Sequence, residues 1–319
     1  MKPDFSGEAR AVLFEPWSLG DVMIAASSLR ELPYPAALGS HPAWHPILRA
    51  ALREHPGLEL IPVELPYTTR DRSHALAFSE TAAARAPGGP SIVLSIRGDL
   101  RDYLAARRLF PHARIKMTGW IRFFARKNSL VDFPYRVGLF PMENRYHSWA
   151  KLTGIPFRQI ETTYRQKQIV APKNGRVVIH VGAQWRSKQF PHVPELRELL
   201  QRDGREVILA ASKSDSLPPN LPSAAVPRLE NEALLELLQS AEQVITNDSG
   251  PMHVAAFLGC RTTVIARAAS IEEWLPPATR LIAAPDMPKG YRQRKHYMTD
   301  DVLPGWPEAA GVAESLARS

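Results

Sequence analysis

The sequence predicts an α/β protein in which one architecture occurs twice, a parallel sheet with helices on both faces in each half of the chain. Three observations carry this reading. Short apolar or β-branched runs alternate with helical stretches, as the strands and crossovers of a parallel sheet do. The alternation restarts after Pro156, without any repeat of the sequence itself. The 319 residues are enough for two separate cores. The expected halves are residues 1–157 and 158–319.

In the first half, Ala11 to Glu15 reads as a strand, followed by the polar loop Pro16-Trp17-Ser18-Leu19-Gly20-Asp21 and a helix over Val22 to Arg30. Further strands are expected at Ala36 to Leu38, Leu58 to Val63, Ser91 to Ser95 and Ala113 to Thr118. Helices are expected near Pro46 to Glu54, Ser73 to Ala84 and Asp99 to Leu109. Glu143 to Leu152 forms a helix that ends at Gly154, with Pro156 just beyond it.

The second half gives strands at Val177 to Val181, Glu206 to Ala211, Gln243 to Thr246 and Thr262 to Ile265. Its helices are Val193 to Arg202, Asn231 to Ala241 and Pro251 to Leu258. A last helix, Trp306 to Arg318, can pack back on the first half. The joint between Val244-Ile245-Thr246 and the Pro251 helix is the most informative stretch. Asn247 to Gly250 supply caps and a backbone free to turn, and Pro251 fits the first helical turn, where its missing N–H costs nothing. The N–H groups at such a helix start face the carboxyl end of the sheet, where open α/β sheets bind ligands, and a phosphate is the natural guest. A plain capped turn, with His253 on the helix surface, explains the same residues.

An apolar fraction of 45% and a charged fraction of 23% are ordinary for a globular protein, and no apolar run reaches the roughly 18 residues that span a bilayer. The N-terminus lacks the apolar core of a signal peptide and Cys260 is the single cysteine, so the cytoplasm is the expected compartment. No G-x-G-x-x-G follows the first strand, and neither a G-x-x-x-x-G-K-[ST] loop, a zinc-spaced His/Cys cluster nor a G-x-S-x-G elbow occurs. Dehydrogenase, P-loop, zinc-enzyme and serine-hydrolase readings therefore lose their usual support.

The net charge of +8 calls for an anionic partner. Much of the excess lies between Arg97 and Lys127, including Arg101 and Arg122, with Trp120, Ile121, Phe123 and Phe124 interleaved; a second basic group runs from Lys289 to His296. Basic residues with apolar neighbours suit an anionic membrane surface or acceptor, although a solvated face accounts for them too. A nucleic-acid partner is not expected, because it leaves the loops at the strand ends without a role.

Those loops carry the candidate chemistry. Gly182 and Gly250 let a backbone approach a diphosphate, Ser249 offers a hydroxyl, and Lys188 adds a positive charge for a phosphate leaving group. Asp21, at a helix start in the first half, has the carboxylate that a direct displacement at a sugar carbon needs as general base; it is equally suited to cap that helix.

On these residues the chain resembles the bacterial lipopolysaccharide heptosyltransferases of glycosyltransferase family 9. Leu19-Gly20-Asp21-Val22 looks like the family's N-terminal loop. His180-Val181-Gly182-Ala183 with Lys188, Phe190 and Pro191 is similar to its H-x-G-A…K-x-W-P stretch, with phenylalanine where tryptophan is usual. Asp248-Ser249-Gly250-Pro251-Met252-His253, with Ala255, Ala256, Leu258 and Gly259, looks like its D-[ST]-G-x-x-H-x-A-A-x-L-G signature. Val93 to Leu100 and Glu143-Asn144-Arg145-Tyr146 are weaker echoes.

The resemblance implies a GT-B fold of two facing Rossmann-like domains with the active site in the cleft between them. It implies inverting, metal-independent transfer, without a cofactor, from an ADP-heptose-like donor to a lipopolysaccharide core acceptor, an anionic glycolipid. Peripheral contact with the inner membrane would fit such an acceptor. Asp21 carries over as base and Lys188 as phosphate partner; Gly182, Ala183, Lys188, Asp248, Ser249, Gly250 and His253 carry over to the donor side. Arg97, Arg101 and Arg122 are assigned to the acceptor or membrane side. Transfer from another nucleotide sugar, and a non-catalytic glycan- or membrane-binding relative, are the alternatives.

Overall fold

The computed structural model describes residues 11–53, 55, 59–64, 90–96, 100–117, 143–170, 172, 174–213, 215–267, 271–285 and 305–318. These fall into two compact units, 11–117 with 143–160 and 161–318. The helix expected at Ser73 to Ala84, the second basic group and both ends of the Arg97 to Lys127 stretch, 97–99 and 118–127, lie outside the described residues.

The first unit contains β1 (Ala11–Phe14), α1 (Leu19–Arg30), β2 (Ala36–Ser40), α2 (His45–Ala51), β3 (Glu59–Pro62), β4 (Ile92–Ser95), α3 (Leu100–Leu109), β5 (Arg114–Met117) and α4 (Arg145–Thr153). Its strands form a parallel sheet in the order β3-β2-β1-β4-β5. The central strands β1, β2 and β4 are buried along their whole length, as short apolar runs covered on both faces must be. Phe14 and Phe110 meet edge to face at 6.5 Å within this core.

Two helix ends in this unit are set by local chemistry. The helix expected from Val22 begins three residues earlier, at Leu19, because Ser18 takes the extended cap conformation (φ −76°, ψ 162°). Asp21 is therefore the third residue of α1, and it reaches back to the cap. At the other end of the unit, the Asn144 side chain accepts a 2.9 Å hydrogen bond from the Tyr146 N–H and starts α4, which stops at Gly154 with φ +77°.

The helix α5 (Phe157–Ile169) carries the chain across the division, which falls between Ile160 and Glu161. Little in the sequence marks it, since its polar run FRQIETTYRQKQI has few apolar positions, Ile160 and Tyr164 among them, both fully buried.

The second unit continues with β6 (Arg176–His180), α6 (Val193–Arg202), β7 (Glu206–Ser212), β8 (Arg228–Leu229), α7 (Asn231–Gln239), β9 (Gln243–Asn247), α8 (Gly250–Leu258), β10 (Arg261–Ala266), α9 (Ile271–Trp274), β11 (Arg280–Ala283) and α10 (Ala309–Ala317). Its strands are again all parallel, in the order β11-β10-β9-β6-β7-β8. The last helix packs on α6 and is buried in the core of this unit. The reason lies in its apolar positions: Ala309, Val312 and Leu316 share one face and are buried with Val193, Leu196 and Leu200 of α6.

Candidate functional site

In the second sheet the chain runs outward from β6 through β7 to β8, then returns to the middle and runs outward the other way from β9 through β10 to β11. The loops after β6 and β9 therefore leave in opposite directions from neighbouring strands, and the crevice at such a switch point is where open α/β sheets bind ligands. His180 pairs with Thr246, so Val181-Gly182-Ala183 and Asn247-Asp248-Ser249 emerge side by side. Two motifs far apart in the sequence thus share one crevice.

Asn247 holds this crevice together. The sequence reading gave it a capping role, but it is the last residue of β9, 2% exposed, and its amide faces sideways. Its Nδ2 donates to the carbonyls of Val181 (3.0 Å) and Gly182 (3.4 Å), and its Oδ1 accepts from the Phe190 N–H at 3.1 Å. A strand end with two neighbouring carbonyls and one N–H to satisfy needs a side chain with both donor and acceptor, which an amide provides.

The loop after β6 is fixed residue by residue. Ala183 is fully buried and forms a backbone bridge to Ser216, whose Oγ donates to the Ala183 carbonyl at 2.9 Å. Its N–H lies 3.4 Å from the Ser216 carbonyl, so Ala183 contributes a fixed backbone and a buried methyl. Gln189, 4% exposed, donates to the Ala183 carbonyl (3.2 Å), the Ser216 carbonyl (2.9 Å) and Ser216 Oγ (2.8 Å). Phe190, 1% exposed, meets Trp306 edge to face at 5.7 Å. Burying such a ring stabilises the loop by roughly 2–3 kcal/mol, and phenylalanine fills the position without an N–H to satisfy.

Between these anchors a single 3₁₀ turn, Arg186–Lys188, carries the predicted cation. Lys188 Nζ is 2.6 Å from Asp248 Oδ2, and both side chains are largely covered, 20% and 10% exposed. The structure thus brings together two residues that the sequence assigned separately to the donor side.

At the start of α8, Ser249 is the cap residue by conformation, but its hydroxyl does not cap. It lies 3.3 Å from Thr246 Oγ1 and 3.4 Å from the Asn247 carbonyl instead. The helix begins at Gly250 with Pro251 in its first turn. Asp248, Ser249 and Gly250 are partly exposed, whereas His253 is buried at 4%, not displayed on the helix surface. A helix start whose cap side chain is engaged elsewhere presents its N–H groups and dipole to a bound anion.

The glycine of the β6 loop has a steric reason of its own. A Cβ at Gly182 would lie 2.4 Å from Asp215 Oδ2 and 2.5 Å from Asp215 Cβ. Asp215, in the loop after β7, was not singled out by the sequence. Its carboxylate lies 3.2 Å from His180 Nε2 and accepts the Ser212 N–H at 3.0 Å. Burial alone would raise its pKa, but the hydrogen bond and charge of His180 and the Ser212 N–H outweigh it and hold the carboxyl below its ordinary value.

The first unit has a comparable switch point between β1 and β4. The loop after β1 is pinned twice. Trp17 Nε1 donates to both carboxylate oxygens of the fully buried Asp102 on α3 (3.2 and 3.1 Å), and its carbonyl accepts from Trp44 Nε1 at 2.9 Å. The loop delivers Ser18 and Asp21 to the carboxyl side of the sheet. Asp21 Oδ2 accepts from the Ser18 hydroxyl at 2.7 Å and from the Ser18 N–H at 3.3 Å. Asp21 is thus the acidic member of a capping box, while remaining partly exposed. Arg101 lies on α3, and Arg97 and Arg122 fall outside the described residues.

Residues 152–284 match the family model of glycosyltransferase family 9 (heptosyltransferase). Residues 152–284 therefore carry a family 9 glycosyltransferase domain of the heptosyltransferase type. Among solved structures it is similar to Escherichia coli heptosyltransferase WaaC with ADP, at 16% identity, a TM-score of 0.63, and coverage of 97% of this chain and 99% of that one. It is also similar to the E. coli ADP-heptose lipopolysaccharide heptosyltransferase II, at 19% identity, a TM-score of 0.57, and coverage of 97% and 98%. A family 9 glycosyl transferase from Veillonella parvula gives 14% identity, a TM-score of 0.65, and coverage of 98% of each chain. At these identities the likeness is one of fold, and the fold is the GT-B class that the sequence motifs implied. No curated protein matches the chain.

Proposed function

We propose that this chain transfers a heptose from an ADP-heptose-like donor to a lipopolysaccharide core acceptor, with inversion and without a metal ion. The observation that carries the reading is the convergence of Gly182, the Lys188–Asp248 pair and the start of α8 on one switch point. A diphosphate placed there would meet helix N–H groups and a lysine ammonium, the two features that stabilise a departing diphosphate. Two similar structures support the choice of nucleotide: E. coli heptosyltransferase WaaC with ADP and the same enzyme with ADP-2-deoxy-2-fluoro heptose.

The chemistry is a single displacement. The acceptor hydroxyl oxygen attacks the anomeric carbon from the face opposite the nucleotide, the bond from that carbon to the diphosphate oxygen breaks, and ADP leaves with the electron pair. Asp21 takes the hydroxyl proton, and Lys188 offsets the charge that develops on the leaving oxygen. His253, Asp248, Ser249 and Gly250 hold the donor; Arg97, Arg101 and Arg122 serve the anionic acceptor or the membrane surface around it. No described helix is long and apolar enough to cross a membrane, and the proposed membrane contact is peripheral.

The test is a donor panel. Calorimetry with ADP, UDP and GDP, followed by product detection with ADP-heptose and a deacylated core oligosaccharide, should show preference for ADP and turnover of the heptose donor. Preference for another nucleotide would move the chain to a different donor. Tight ADP binding with no turnover of any donor would make it a binding protein.

A further inference from the structure

We infer that Arg267 is a positioning residue for Lys188: its guanidinium grips the backbone next to the lysine and so holds the ammonium over the donor crevice. The inference rests on the donor-side reading given above. Arg267 follows β10 directly, far from Lys188 in sequence, and is only 7% exposed. Its Nε donates to the Ser187 carbonyl at 2.9 Å, and its guanidinium carbon lies 4.9 Å from the centre of the Trp306 ring.

The geometry forms a closed circuit around one residue. Ser187, immediately before Lys188, is held by Arg267. Phe190, two residues after it, is held by the Asn247 amide and by the same Trp306 ring on which Arg267 rests. Lys188 lies between these anchors, with its ammonium 2.6 Å from Asp248. A lysine side chain has four rotatable bonds and gives up rotamer entropy to point in one direction, so the direction has to be set by a rigid backbone.

The identity of the residue points the same way. A neutral amide is enough to satisfy a buried main-chain group in this crevice, as Asn247 does for Val181. Keeping a full charge almost buried is costly, and what a guanidinium adds is reach combined with a flat face that stacks on an indole while its edge donates. Arg267 thereby couples the 3₁₀ turn that carries Lys188 to the Trp306 segment ahead of α10. A role confined to stabilising that C-terminal segment would not act through Lys188, and the two roles can be told apart.

The experiment is a double-mutant cycle read by ADP binding, using Arg267→Met and Lys188→Ala singly and together, with Arg267→Lys as a milder change should the methionine variant fold poorly. Arg267→Met should weaken ADP about tenfold, but by less than about twofold when Lys188 is already alanine. Equal losses in both backgrounds would overturn the inference. Amide hydrogen exchange of the free protein is read alongside, because it needs no ligand. Exchange should quicken in residues 186–190 of the Arg267 variants while β6 and β9 keep their protection. If the wild type does not bind ADP, the donor reading fails by itself and the exchange result decides the positional claim: unchanged protection of 186–190 would overturn it.

Discussion

Lys188 Nζ and Asp248 Oδ2 are 2.6 Å apart in a setting where neither side chain is more than one-fifth exposed. The pair changes what a substitution at Lys188 should do. A solvated loop cation could be removed without affecting stability, but here Lys188→Ala leaves a largely buried carboxylate without its ion-pair partner. The expected result is a loss of about 1–3 kcal/mol in unfolding free energy together with weaker ADP binding. Lys188→Ala with Asp248→Ala should recover part of the stability and none of the binding. Chemical denaturation and calorimetry on the two variants and the wild type check this; full ADP affinity in Lys188→Ala would remove the lysine from the site.

Gly182→Ala tests the steric reading of the β6 loop. The new methyl meets Asp215 at 2.4–2.5 Å, so either the loop or the Asp215–His180 contact must yield, at about 1–3 kcal/mol. The same substitution in an Asp215→Gly background, where the blocking atoms are gone, should cost clearly less. Equal costs would mean that the glycine is required for another reason.

The contrast between Gly182 and Asp215 shows where sequence reading stops. The β6 and β9 strands, the α8 start and the glycine-containing loop are local features, written in short apolar runs, turn residues and a proline, and they fell within a residue or two of their observed places. The residues that turn these pieces into a site are contacts over long separations. Arg267 reaches Ser187 across 80 positions and Asn247 reaches Phe190 across 57. Nothing in the neighbourhood of Asp215 or Arg267 marks either one as part of the crevice. Asn247 was visible but given the wrong task, because an asparagine before a helix is usually a cap. Here the strand runs one residue further, and the amide bonds across the sheet. For α5 the signal was absent, since a helix with few buried apolar positions shows little periodicity.

Acid should weaken the first unit before it affects the second. Burial lowers the pKa of His41 and His45, against an opposing effect of Glu64 on His41 and of the Ser40 carbonyl, 3.3 Å away, on His45. Both histidines therefore bind a proton less readily folded than unfolded. Their contribution to stability is complete above about pH 6.5 and is lost as pH falls through the depressed folded values. Asp215 is also depressed, but its contribution is lost only below about pH 4, the ordinary carboxyl range. A stability profile should therefore decline in two separate windows. His41→Gln with His45→Gln should flatten the upper one, and Asp215→Asn the lower; a single decline untouched by the histidine changes would exclude this assignment.

Asp21 carries two readings, and the structure makes them separable. Its Oδ2 accepts both the Ser18 hydroxyl and the Ser18 N–H, so it contributes to the start of α1 whatever else it does. Asp21→Asn keeps an oxygen that can accept either bond, and loss of the charge near the helix dipole should cost no more than about 1 kcal/mol. An amide, however, does not take up the acceptor's proton at neutral pH. If Asp21 is the base, the transfer rate falls by a factor on the order of 100 or more, with donor affinity nearly unchanged. Ser18→Ala is the matched control: it removes the hydroxyl from the capping box and leaves the carboxylate in place, so it should lower stability by about 1 kcal/mol while sparing most of the rate. Thermal unfolding and single-turnover transfer on the two variants give four numbers. A collapsed rate confined to Asp21→Asn assigns the proton to Asp21; equal rates in both variants would leave it as a capping residue and place the base elsewhere in the chain.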